Sequence, residues 1–99
     1  LYPEGSREFN DVINIALRHY PHDEVANLNA AVAEISRGEY VLASRLLENA
    51  GNSPEAENAR GVISAQQGEI KKALEHFKAA GSLPEAIRNF NLLHNLDSL

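Results

Sequence analysis

The chain has 99 residues and a formal net charge of −5, with 43% hydrophobic and 23% charged residues, a balance typical of one small globular domain. It contains no cysteine, which excludes a disulfide framework and a thiol nucleophile. Lysine and arginine are not clustered and no apolar run reaches the roughly 18–20 residues that span a bilayer, so we expect neither a nucleic-acid partner nor membrane insertion by this segment.

Glycines and prolines divide the chain into six predicted short helices. Alanine and leucine, which favour helix, carry most of the apolar content between these breaks, and no β-hairpin signal is present. The stretch HYPHDEV at 19–25 is the first break, where Pro21 ends one helix and Asp23 can cap the next. We therefore expect an all-α fold with helices at about 6–19, 23–36, 39–50, 54–66, 69–80 and 84–96.

A repeat of thirty residues follows the first break. The segment AGNSPEA at 50–56 is repeated with two substitutions as AGSLPEA at 80–86. In the first copy, Gly51 suits the left-handed residue that closes a helix, Ser53 can cap the next helix, and Pro54 suits its first turn. Leu83 replaces the capping serine in the second copy, so the last helix should start less sharply. We therefore interpret these two segments as the connections between successive repeats and call them joints.

The segments RGEYVLASRLLENAG (37–51) and QGEIKKALEHFKAAG (67–81) resemble the turn and second helix, called B, of the tetratricopeptide repeat (TPR) family. The residues that carry the resemblance are Gly38, Tyr40, Ala43, Leu47 and Ala50, then Gly68, Ile70, Ala73, Phe77 and Ala80. The resemblance implies one TPR-like domain over 1–99, an antiparallel helix-pair superhelix. It would hold a B-like helix at 6–19, complete repeats at 24–53 and 54–83, and an A-like partial repeat at 84–99.

The chain departs from the family in its first helices, called A. The period is thirty residues where the family has 34, and Asn27 and Glu57 stand where the family places a large aromatic residue. The rotation of the A helices, and with it the identity of any groove residues, therefore stays open. A second resemblance links GSREFNDVINIALRHYP and ANLNAA to the TPR-type tail of bacterial cell-envelope proteins that accompany surface-fibre assembly. It implies a periplasmic or outer-membrane location, and the cytoplasm remains the alternative.

A rotation of 100° per residue places a mostly polar strip on the A helices, between two apolar flanks. One hypothesis is that this strip lines a concave surface that binds a protein or peptide; the other is that it only keeps the array soluble. Phe90 could anchor a ligand, pack against the preceding repeat, or belong to an open end with Ile87 and Leu93. The candidate partner-binding residues are Asn27, Glu34, Arg37, Glu57, Arg60, Ser64, Phe90 and His94.

Catalytic chemistry finds little support in the sequence. No phosphate-binding loop, nucleophile elbow or zinc-protease motif is present, and the carboxylates are scattered. His19 and His22 flank Pro21 but lack a third ligand, so we expect no metal, cofactor or enzymatic activity. We interpret the chain as a non-catalytic interaction module of a larger protein. The alternative is a spacer or cap that only positions a neighbouring domain of its parent chain.

Overall fold

The computed structural model describes the backbone of residues 7–97 and the side chains of residues 11–97. Within these ranges the chain forms six α-helices and no strand, which confirms the all-α prediction with about six helices. The superhelical stacking of the helices stays a prediction. No helix among the described residues is long and apolar enough to cross a membrane. The helices are α1 (Arg7–His19), α2 (Glu24–Ser36), α3 (Tyr40–Leu47), α4 (Pro54–Gln66), α5 (Ile70–Ala79) and α6 (Pro84–Asp97).

Five helices begin and end within one residue of the predicted bounds, whereas α3 ends three residues early. The backbone N–H groups of Glu48, Asn49 and Ala50 donate to carbonyls three residues back, at 3.1–3.2 Å. Such bonds tighten the last turn out of α-helical geometry. In α5, by contrast, Ala80 donates to His76, four residues back, at 3.0 Å. The two B-like segments therefore differ in length although their sequences align.

The joint at 50–56 has the local chemistry that the sequence predicted. Gly51 lies at φ 73°, in the left-handed region that glycine adopts without steric cost. The Ser53 hydroxyl accepts from the backbone N–H of Ala56 at 3.2 Å, and Pro54 opens α4. The carboxylate of Asp23 caps α2 in the same way, accepting from the backbone N–H of Ala26 at 2.8 Å. Each cap satisfies a backbone donor that the first helical turn leaves without an intrahelical partner.

The chain divides into two compact units, Leu1–Gly51 and Asn52–Leu99. In the first unit α2 packs against both α1 and α3; in the second, α5 packs against both α4 and α6. The boundary between the units lies inside the first joint. Each unit therefore brings together helices that are consecutive in the chain, and candidate sites are described within one unit at a time.

The packing of α4 on α5 depends on a helical glycine. Gly61 is buried in α4, and a β-carbon at this position would lie 2.4 Å from Cε1 of Phe77 in α5. Phe77 is only 3% exposed, so its ring fills the space that the missing side chain leaves. Helices cross closely where one of them carries small residues. The contact explains why a glycine, a poor helix former, occupies the middle of α4.

Candidate functional site

The predicted strip does not form one continuous solvent-open surface. Asn27 is 3% exposed and Ser64 is 5% exposed, so neither side chain is available to a partner. Asn27 instead closes the connection between α1 and α2, because its Nδ2 donates to the carbonyls of Pro21 at 3.0 Å and Asp23 at 2.8 Å. The carbonyl of Ser64 accepts from the backbone N–H of Glu69 at 2.9 Å, after the end of α4. Because both side chains are buried, we remove Asn27 and Ser64 from the candidate site.

Glu57 and Arg60 belong to a charged cluster that also includes His76. The carboxylate of Glu57 accepts from the Arg60 guanidinium at 2.7 Å and from Nδ1 of His76 at 3.0 Å. Arg60 also donates to Oδ1 of Asn52 at 3.1 Å. The cluster therefore links the α4 carboxylate to α5 and to the joint before α4. Sequence reasoning missed His76, since it lies on a B helix, 19 residues from Glu57, and no pattern connects them.

Two opposing effects act on the pKa of Glu57. Burial raises this pKa, but the hydrogen bonds from His76 and Arg60, and the positive charges of both, lower it more, so the net pKa lies below its ordinary value of 4.5. A carboxyl whose pKa is lower in the folded state stabilises the fold above its unfolded pKa. That contribution is lost as pH falls through the folded pKa.

The pH dependence of unfolding tests this cluster. We expect wild type to be more stable than Glu57→Gln at pH 7, and the difference to shrink as pH falls below about 4.5, the ordinary pKa of the carboxyl. Urea unfolding of both proteins between pH 7 and pH 3 measures this difference in the free energy of unfolding. Glu55→Gln is the matched control, because Glu55 is exposed on the same helix. A wild-type advantage that stays constant across this range would contradict the cluster.

Glu34 and Arg37 lie at the rim of a groove in the first unit, lined by residues of α1, α2 and α3. The two side chains form an ion pair with each other, and their exposed fractions are 17% and 42%. The groove has a volume of about 290 Å³, and six of its nine lining residues are apolar. These six are Ile13, Leu17, Ala30, Ala33, Leu42 and Leu46. The structure therefore brings two of the predicted residues to a concave apolar surface.

Phe90 and His94 lie together on α6. Their rings stack with centroids 5.6 Å apart and 12° between the planes. Phe90 is half-buried and, with Phe77 and Ile87, lines a second groove of about 250 Å³ between α5 and α6. Phe90 thus shares a groove with Phe77 of the preceding repeat, and its role stays a prediction.

A third groove, of about 220 Å³, has walls from α4 and α6 that lie outside the predicted strip. Leu92 and Leu96 line it with exposed fractions of 58% and 65%. The signal that could have found this groove is the pair of leucines four residues apart at the end of the sequence.

Among the residues that the structure describes, no group of three or more histidine, aspartate or glutamate side chains could hold a metal ion. The side chains that line the three grooves offer apolar contact, amide hydrogen bonding and the charges of Glu34, Arg37 and Lys78. No protein-family model, curated protein or solved structure matches the chain. The resemblance to the TPR family, and the envelope location drawn from it, stay predictions.

Proposed function

We propose that the chain is a non-catalytic protein-interaction module, and that the groove between α1, α2 and α3 binds a peptide segment of a partner protein. The observation that carries this proposal is the apolar floor of the groove beside the Glu34–Arg37 ion pair. Pockets for small-molecule cofactors occupy roughly 300–1,000 Å³ and enclose most of the ligand. A solvent-open groove of about 290 Å³ suits one or two side chains of a peptide better.

The chemistry of the rim defines the expected partner segment. Leu42 and Leu46 present aliphatic surface, and Leu42 is 45% exposed in the absence of a partner. Glu34 and Arg37 offer one charge of each sign at the edge of this surface. A peptide that inserts an aliphatic side chain and carries a charged neighbour would match both features. Charged rims add specificity and association rate more than affinity, so the aliphatic insertion should dominate binding.

Leu42 and its neighbour Val41 provide a matched test of this groove. Random heptapeptides displayed on phage are selected on the 99-residue chain, and affinities of the selected peptides are measured by fluorescence anisotropy. We expect Leu42→Glu to weaken groove-binding peptides at least tenfold, because the new carboxylate would be desolvated by the inserted side chain. Val41→Glu should change affinity less than twofold, since Val41 is 66% exposed and does not line the groove.

Circular dichroism of both variants checks that the helices are intact. Selected peptides that bind wild type, Leu42→Glu and Val41→Glu equally would overturn the assignment of this groove. Such a result would favour the alternative hypothesis, a spacer that positions a neighbouring domain. One observation already favours that hypothesis. Val12 and Ile15 on α1 are 54% and 53% exposed, as expected of a helix that packs against a neighbouring domain of the parent chain.

A further inference from the structure

One face of α4 is closed by two consecutive residues of α5. Nδ1 of His76 lies 3.0 Å from Oε2 of Glu57. The ring of Phe77 fills the space beside Gly61, where a β-carbon would lie 2.4 Å from Cε1 of the ring. Positions 57, 61 and 64 follow helical spacing and share this face, and Ser64 is only 5% exposed. The packing of α5 therefore leaves little of this face to solvent.

The corresponding face of α6 is open. The thirty-residue period carries positions 57, 61 and 64 to Ile87, Asn91 and His94. All three residues are exposed, and Ile87 is 46% exposed although its side chain is large and aliphatic. α6 packs against α5, but its buried Ala86 lies on a different side of the helix. We call positions 87, 91 and 94 the open face of α6.

α1 has the register of α5, sixty residues earlier in the chain. α1 ends at His19 and α5 at Ala79, and Ile13 is buried like Ala73. Each of the two helices packs against the helix that follows it, α1 against α2 and α5 against α6. α1 therefore corresponds to the second helix of a pair, and no counterpart of α4 precedes it among the described residues.

The face of α1 that corresponds to the α4-packing face of α5 is only partly covered. Ala16 and Leu17 stand on α1 where His76 and Phe77 stand on α5, and both are half-buried. Phe77, by contrast, is 3% exposed, and Leu47, its counterpart on α3, is 2% exposed. One molecule therefore carries two incomplete faces, one on α6 and one on α1, that correspond to the two sides of its own α4–α5 interface.

We propose that α6 of one molecule packs against α1 of a second molecule of this protein, as α4 packs against α5 within the second unit. The contact continues an interface that the chain already contains, whereas a symmetric contact between two α6 helices would repeat none. Because the two faces differ, the contact is head-to-tail, and each association leaves one α1 and one α6 available for a further molecule. Self-association of this kind goes beyond the proposed peptide binding.

The side chains at the two key positions suit this pairing. Ile87 would meet Ala16, so an apolar pair takes the place of the hydrogen-bonded carboxylate and imidazole between α4 and α5. Asn91 would meet Leu17, and the sizes change in opposite directions, since asparagine is larger than glycine and leucine is smaller than phenylalanine. Neither Ala16 nor Ile87 lines the groove of the first unit, so this association and the proposed function can fail separately.

Sedimentation equilibrium of the full chain tests the contact. One pair of helices makes a small interface, so we expect a dissociation constant on the order of 100 µM. Ile87→Glu should weaken association by about tenfold, because its carboxylate would be desolvated against Ala16, and Ala16→Glu should do the same from the other side. Leu92→Glu and Ile15→Glu are the matched controls: both positions are exposed on the same two helices but lie off these faces, so association should change less than twofold.

An equimolar mixture of the two disruptive variants identifies a head-to-tail contact. Ile87→Glu keeps an intact α1 and Ala16→Glu keeps an intact α6, so the mixture should form complexes of one chain of each and no larger species. Circular dichroism checks that the variants are folded, and Ile87→Glu, at an exposed position, tests the contact even if Ala16→Glu unfolds. The proposal is overturned if wild type stays monomeric up to about 1 mM, if Ile87→Glu associates like wild type, or if mixing two folded variants restores no association.

Discussion

Gly61→Ala is expected to destabilise the chain by about 1–3 kcal/mol, the usual cost of overpacking a core. The added β-carbon would lie 2.4 Å from Cε1 and 2.5 Å from Cδ1 of Phe77. These atoms belong to a rigid, buried ring that cannot move aside without shifting α5. Alanine is intrinsically the better helix former by roughly 0.8–1 kcal/mol, so the clash must outweigh a gain in propensity. Urea unfolding followed by circular dichroism measures the net effect.

The first repeat supplies the rescuing substitution. Thirty residues before Gly61 and Phe77 stand Ala31 and Leu47, both buried. The double variant Gly61→Ala/Phe77→Leu should recover most of the lost stability, because the smaller side chain leaves room for the methyl group. Phe77→Leu alone is the control for lost ring packing. If the double variant is as unstable as the sum of the two single variants, the ring and the glycine are not coupled.

Asn27→Asp is expected to cost about 3 kcal/mol at pH 7. Both hydrogen bonds of the Asn27 amide run from Nδ2 to the carbonyls of Pro21 and Asp23. A carboxylate cannot donate, so it would face two acceptors in a site that is 3% exposed. Burying a charge without a partner is among the most destabilising single changes.

Urea unfolding also measures this effect, and Asn49→Asp is its matched control. Asn49 is exposed in the same unit, and its substitution should change the free energy of unfolding by no more than about 0.5 kcal/mol. Asn27→Asp should recover part of its stability below pH 4, where a protonated carboxyl can donate one hydrogen bond. Equal stability of the two aspartate variants at pH 7 would refute the structural role of Asn27.

Sequence reasoning predicted the helix connections at 19–25 and 50–56 well because their chemistry is local. Gly51, Ser53 and Asp23 act on backbone groups within three residues of themselves, and short-range rules describe such contacts. The early end of α3 was not predicted, although residue type separates its last turn from that of α5. Glu48 and Asn49 stand where α5 has Lys78 and Ala79. Alanine is a better helix former than asparagine, and a positive charge suits a helix C-terminus better than a negative one.

The candidate site was harder to predict than the fold, because its contacts join residues far apart in the chain. Rotation on a helical wheel says which residues share a face, but it does not say which face a neighbouring helix covers. Asn27 and Glu57 occupy the same repeat position, yet one is buried against a loop and the other pairs with His76. The Asn58–Asn89 bond spans 31 residues, close to one repeat, and offered no signal that an isolated sequence could reveal.

The glycine that receives the Phe77 ring also bears on how such repeats can be exchanged during evolution. Gly61 fits against Phe77 in one copy, and the corresponding buried positions of the other copy hold Ala31 and Leu47, which we expect to match each other in the same way. Recombination at a joint moves both members of a pair together and preserves the match. Recombination between α4 and α5 would join an alanine-bearing helix to a phenylalanine-bearing one. We therefore expect viable chimaeras of this protein to have their crossovers at AGNSPEA and AGSLPEA.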